Sequence, residues 1–213
     1  LEAKAKDEGK DSAKESVKAG AVKEPVESAG SGGKTADLKK DANLQVNPYI
    51  STYVNFVVLN VRNAPLSDVK VRQALNYAVD RKRFLDTALV GVGETEDLPW
   101  LPNTPAYDET KRAQYTYDLD KAKALLNQAG VSNLTLDMIV AAGVDEYATM
   151  AQIYQNDLAK IGITLTIVPL AGAQRLDKMQ HQTYNGLYAA NDTWATMEPV
   201  SFFTSSSIAG VKK

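Results

Sequence analysis

Cysteine is absent from the 213 residues. Its absence excludes disulfides, thiolate metal sites and a cysteine nucleophile, and leaves the redox compartment open. Histidine occurs once, as His181. A histidine-rich metal site is thereby excluded, and a Ser-His-acid triad would hang on that single residue. His181 lies in the polar run Lys178 to Thr183 and reads as an exposed side chain without a chemical role. No apolar run approaches the roughly 18–20 residues that a membrane-spanning helix needs. The opening residues are rich in Lys, Glu and Ala and contain no apolar leader core, so no signal peptide is expected within this sequence. Charge of one sign is lacking as well. The formal net charge is -2, which gives no basic field for nucleic acid. There is no Gly-x-Ser-x-Gly elbow and no histidine/acid cluster, so neither an enzyme nor a cofactor or metal site is expected.

What is present is an ordinary globular composition, 44% hydrophobic and 23% charged, with one compositional break. Residues 1–34 contain no aromatic residue, and their only large apolar side chains are Leu1, Val17, Val22 and Val26. Such a segment buries too little to offset its ordering entropy. It is expected to be a disordered or tag-like charged tail, closing in the Gly/Ser linker Ser28 to Gly33. Gly30 to Thr35 imitates a phosphate-binding loop, but Ser28 stands where the first glycine belongs and no apolar strand precedes it. Residues 35–213 form the folded part.

That part alternates helix and strand patterns. Ala36 to Lys40 reads as a short helix and Leu44 to Val46 as a short strand. Tyr53 to Leu59 is a β-branched and aromatic strand ending at Asn60. Ser67 or Asp68 caps the next helix, whose Val71, Ala74, Leu75 and Ala78 recur at helical spacing. Asp68 and Arg72 can pair across its first turn. Asp80 caps a second helix, Arg81 to Leu89, which Gly91 ends. Leu98 to Pro105 is a proline-broken loop. Asp118 caps a helix with Ala122, Leu125, Leu126 and Ala129 inward and Gly130 as its left-handed stop, and Tyr117 can staple onto Ala122. Leu134 to Val140 alternates as a strand. Asp145 opens a longer helix that carries Met150, Ile153, Tyr154, Leu158 and Ile161 and stops at Gly162. Ile163 to Pro169 is a strand, Ala173 to Gln180 a short helix, and Tyr184 to Ala190 a further strand. Short connections between alternating elements predict an α/β fold, a mixed sheet flanked by helices.

Three of these stretches carry a family resemblance. The Leu59-Asn60 strand end followed by Pro65-Leu-Ser-Asp-Val-Lys-Val-Arg-Gln-Ala-Leu-Asn-Tyr-Ala-Val-Asp-Arg81 resembles the extracytoplasmic solute-binding proteins of peptide- and nickel-type ABC importers, family 5. Tyr117 to Gly130 and Leu158 to Leu165 match the same family. Asn60, Asp68, Arg72, Asp80, Asp118, Gly130 and Gly162 are its structural signature here. The resemblance spans roughly residues 36–210 and implies one lobe, the second, of a periplasmic-binding-protein-like fold (class II, cluster C type), with the other lobe missing.

The resemblance also implies a function. The family closes two lobes on a solute outside the cytoplasmic membrane, in the periplasm or lipid-anchored at its outer face, and delivers it to the transmembrane subunits of an ABC permease. Oligopeptide or dipeptide is the expected solute, with nickel complexes, opines and sugars as variations. In the family an aromatic residue near a strand end packs on the solute, and an acidic-Pro pair follows. Here Trp194 and Glu198-Pro199 match that layout, with Asn191 and Asp192 just upstream. Peptide binders commonly show Trp-x-x-Asp, whereas this chain has Trp194-Ala-Thr-Met197, so Asp192 or Glu198 would have to meet a peptide's amino group. A ligand role for Trp194, Asp192, Glu198 and Asn191 competes with a core aromatic and a helix-start acid. The rival function is an interaction or scaffold domain built on a lobe-like fold.

Overall fold

The computed structural model describes residues 53–102 and 104–193; in the last two of these, Asp192 and Thr193, it describes the backbone. Four strands and five helices follow in chain order: β1 (Tyr53–Leu59), α1 (Val69–Tyr77), α2 (Arg81–Ala88), α3 (Leu119–Gln128), β2 (Leu134–Ala141), α4 (Asp145–Lys160), β3 (Ile163–Leu170), α5 (Gly172–His181) and β4 (Gly186–Thr193), with a single 3-10 turn at Glu109–Lys111. The strands form one mixed sheet in the order β1-β4-β2-β3. β1 runs antiparallel to β4, and β2 lies parallel to both β3 and β4.

This topology explains why helices cover both faces. β2 leads through α4 outward to β3, and β3 leads through α5 back across β2 to β4. Parallel crossovers share one hand, so two that run in opposite directions must lie on opposite faces. Side-chain alternation delivers both faces. Leu136, Met138, Val140, Leu187 and Ala189 join the larger core with Met150, Ala151, Tyr154 and Leu158 of α4. Ile139, Tyr188 and Ala190 point the other way and pack with Met179 of α5. The larger core also takes Leu66, Val71, Ala74 and Leu75 from α1 and Ala122 and Leu126 from α3.

The helix starts obey the capping expectations. The Asp68 carboxylate accepts from Lys70 N at 2.7 Å, Asp80 from Arg83 N at 2.9 Å and Asp118 from Lys121 N at 2.8 Å. Gly130 and Gly162 end α3 and α4 at φ +68° and +83°, values that cost glycine little. Arg72 does not pair with Asp68. Its Nη1 donates to the carbonyls of Leu66 (3.0 Å) and Ser67 (2.7 Å), tying the incoming turn to α1. The side chain reaches back along the helix to the orphan carbonyls that precede it.

α4 opens at Asp145 as expected; its N-cap is Val144, with no side-chain bond, and Asp145 and Glu146 occupy the first turn, where the helix dipole favours acids. Other expectations shift. α2 ends one residue early at Ala88, because Leu89 is its C-cap and Val90 already has φ 54°. α5 is a residue longer at each end, Gly172–His181. β4 begins at Gly186 and not at Tyr184. Tyr117, just before α3, is exposed and interacts with Asp157 of α4. Asp157 is fully buried and is held by Arg83 of α2 and by Lys160 at 2.8 Å. Arg83, Lys160 and Tyr117 thus meet on one carboxylate. Residues 1–34 and the short elements at Ala36 to Lys40 and Leu44 to Val46 lie outside the described residues.

Candidate functional site

The seam between β4 and β2 differs at its two ends. At the end where both strands start it is locked. Asn60, placed by the end of β1, is buried, and its Nδ2 donates to the carbonyls of Tyr184 (2.8 Å) and Gln182 (3.2 Å). Its own N–H donates to Gly186 O at 2.8 Å, and Asn63 Nδ2 adds a bond to Tyr184 O at 3.0 Å. Asp137 N then donates to Asn185 O at 3.1 Å, the first rung between β2 and β4. Gly186 has φ +146°, and a Cβ there would sit 2.9 Å from Asp137 N and closer still to its carbonyl oxygen. Only glycine fits this crossing. The sequence marked Asn60 as a signature residue without a role; its role is to join the α5–β4 turn to β1.

At the other end the seam opens. β2 and β4 pair only over Asp137–Ile139 and Gly186–Tyr188, although both strands run on, to Ala141 and Thr193. β1 keeps pairing with β4 as far as Thr193, and β3 keeps pairing with β2 as far as Ala141. The sheet therefore splits into two ribbons. Continuing the parallel ladder from the rung at Asn185 O would give Ala189 O to Ala141 N–H. Instead Ala189 O accepts Arg175 Nη2 of α5 at 3.0 Å. The guanidinium carbon lies 5.7 Å from the ring centre of Tyr147 on α4, a cation–π distance. A helix from each face thus reaches into the split.

Around it stand the starts of α4 and α5, neither closed by a capping side chain. Tyr147 is buried, and burial pushes its phenol up, while Arg175 and the backbone of Asn191 pull it back. Glu146 is also pushed up, first by burial and then by Asp145 beside it. Tyr53 at the start of β1 is exposed. The split lies outside the carboxyl ends of β2 and β4, with α4 following β2 on one face of the sheet and α5 leading into β4 from the other. In open α/β sheets that is where ligands bind.

Of the residues singled out from sequence, Asn191 is on β4 opposite Asn55 and touches this site through its backbone. Asp192 pairs with Val54 in the ladder. Trp194 and Glu198 lie outside the described residues. Sequence reasoning missed Arg175 and Tyr147, since a lone arginine and a lone tyrosine inside helices look like ordinary helix positions. The strand order that makes them neighbours is not visible in either helix. His181 is exposed and contacts Asp177 at 3.0 Å, as a surface side chain. Among the described residues no group of His, Cys, Asp or Glu is arranged to hold a metal ion, and no helix is long and apolar enough to cross a membrane.

Comparison with known proteins decides the family. The profile of bacterial extracellular solute-binding proteins, family 5 Middle, matches residues 12–211. The chain belongs to this family. It is 34% identical over 133 residues to the heme-binding protein A of Haemophilus influenzae, covering 60% of this chain and 24% of that protein. It is 32% identical over 156 residues to the dipeptide-binding protein of Escherichia coli, covering 70% of this chain and 29% of that one. Among solved structures, HbpA2 from Haemophilus parasuis superposes with a TM-score of 0.70 at 28% identity, over 81% of this chain and 34% of that one. The family match begins inside residues 1–34, the segment that composition sets apart. The chain spans roughly a quarter to a third of the length of these relatives, and its fold is one lobe of theirs.

Proposed function

We propose that this chain is the second-lobe part of the substrate-binding component of an ABC importer. It supplies one wall of an interlobe cleft and performs no chemistry of its own. The solute is a di- or oligopeptide, and the protein works outside the cytoplasmic membrane and hands the solute to permease transmembrane subunits. The observation that carries this reading is the split between β2 and β4 at the carboxyl edge of the sheet. Membership of a solute-binding family supports it, and a dipeptide-binding relative supports the peptide class. β4 runs from the split toward Trp194, Glu198 and Pro199, so Asn191, Asp192, Trp194 and Glu198 follow directly on the split in sequence. An indole offers a broad apolar wall, and a carboxylate offers a charge-assisted bond to an ammonium group.

One lobe alone cannot enclose a ligand, because hinge closure needs both sides. Affinity for the isolated chain is therefore expected in the millimolar range. The sequence contains two tryptophans, Trp100 and Trp194. With Trp100→Phe, the emission of Trp194 reports on the cleft alone. Titration with alanyl-alanine and trialanine is expected to shift that emission with half-saturation near millimolar concentration. An emission unchanged by both peptides contradicts the placement of Trp194 in the solute site.

A further inference from the structure

Among the described residues β3 pairs with β2 alone and forms one edge of the sheet. One bond fixes which of its backbone groups face outward. Ala142 N donates to Leu170 O at 2.9 Å, so Leu170 turns its backbone groups toward β2. In a parallel ladder both backbone groups of a residue point to the same side, and successive residues point to opposite sides. Ile163, Leu165, Ile167 and Pro169 therefore present theirs to the outside. Such a row is a template for an added strand, from another copy of the chain or from an extended peptide.

Two of these four positions cannot serve that purpose. Leu165 O already accepts Nε2 of Gln155 at 2.6 Å. Gln155 is a half-buried residue of α4, so the helix packed on one face of β3 also reaches round to its edge. Pro169 has no N–H to donate, and it is exposed at an outward position, where the ladder to β2 loses no rung by it. A strand laid along Ile163 to Pro169 would meet an engaged acceptor and, four residues on, a missing donor. Space is not what opposes it. A groove of about 350 Å3, lined by Asn133, Gln155, Ala159 and Gly162, lies beside Ile163 to Leu165.

We infer that the outer edge of β3 is closed to strand addition, whether by a second copy of this chain or by a peptide, and that Gln155 and Pro169 close it. Gln155 acts as a stand-in partner that an incoming strand would have to displace. Pro169 removes one rung outright. In a chain proposed to meet extended peptides, a closed edge keeps them from pairing with the sheet away from the split. Closure of the edge holds whether or not the split binds a solute.

The test follows backbone amide exchange at Leu165 and Ile167 in the whole chain, from micromolar to millimolar concentration. It is repeated with the peptide acetyl-Ile-Thr-Leu-Thr-Ile-Val-amide, the sequence of residues 163–168. In the unaltered chain both rates are expected to stay the same at every concentration, with and without peptide. Gln155→Met combined with Pro169→Val frees the acceptor and supplies the donor. In that variant both rates are expected to fall by roughly tenfold or more as concentration or peptide rises, because several bonds form together. Gln155→Met alone, which leaves the backbone unchanged, is expected to show a smaller fall and serves if the double variant does not fold. The fold of each variant is checked on the amides of Leu136 and Met138. Protection in the unaltered chain that grows with concentration or peptide overturns the closure. Rates in the variants that match the unaltered chain throughout overturn the roles of Gln155 and Pro169.

Discussion

The two ends of one strand seam do opposite things. Where β2 and β4 begin, the Asp137–Asn185 rung and the close approach of Gly186 to Asp137 close the seam, and Asn60 and Asn63 tie the turn that enters β4 to β1. Where the strands end, the seam gives up its next rung to Arg175 and stays open. The lesson is that a sheet can concentrate rigidity at one end so that the other can be spread. A split is tolerable only if the ribbons cannot slide, and the Asp137–Asn185 rung with the close approach of Gly186 to Asp137 opposes sliding. Structure is fixed at one end, and the proposed recognition lies at the other.

The largest effect is expected from breaking the lock at its tightest point. Gly186→Val places a side chain on the Asp137 backbone at a φ of +146°. It is expected to destabilise the chain by about 3 kcal/mol or more, read as a drop in the urea midpoint. Asn60→Ala comes next. It strips a donor from the carbonyls of Tyr184 and Gln182 and is expected to cost about 2–3 kcal/mol in the same measurement. A loss below about 0.5 kcal/mol would show that the lock is not a lock.

The same end gives a pH dependence. Burial pushes the Tyr184 phenol up from 10.0 to about 12, against a smaller opposing pull from Arg62. Burial raises Tyr154 as well. The folded state holds these protons more tightly than the unfolded state, so stability is full below about pH 10 and falls as the pH climbs through the folded value. Tyr184→Phe is expected to flatten part of that fall, and an unchanged slope would remove Tyr184 from the account. The smallest stability effect belongs to the open end. Arg175→Gln loses one bond to a carbonyl on a half-buried side chain and is expected to cost about 0.5–1 kcal/mol. A cost equal to that of Asn60→Ala would mean that both ends are structural.

Much of the locked end was legible in the residues. Asp68, Asp80, Asp118, Gly130 and Gly162 act through local geometry, caps and stops whose spacing is short in sequence, whereas the bonds of Asn60 reach residues more than 120 positions away. Each chemical preference points to one position. Even here Arg72 was read toward Asp68, because an acid and a base four apart look like a pair, while its guanidinium bonds to the carbonyls of Leu66 and Ser67. The open end was not legible. Arg175 and Tyr147 meet only because β3 returns across β2 to β4, and nothing in either helix announces that crossing. The sequence did place interest near the end of β4, at Asn191 and Asp192, which lie at the split, and at Trp194 and Glu198 beyond the described residues.

The most direct test compares the two ends in one spectrum. Backbone amide shifts of the chain are followed during titration with alanyl-alanine to tens of millimolar. The expected result is concentration-dependent movement at Tyr147, Ala189 and Asn191, with Asn60, Asp137 and Gly186 still. Movement confined to Asn60, Asp137 and Gly186, or spread evenly over both ends, would contradict the division between a locked end and a binding end.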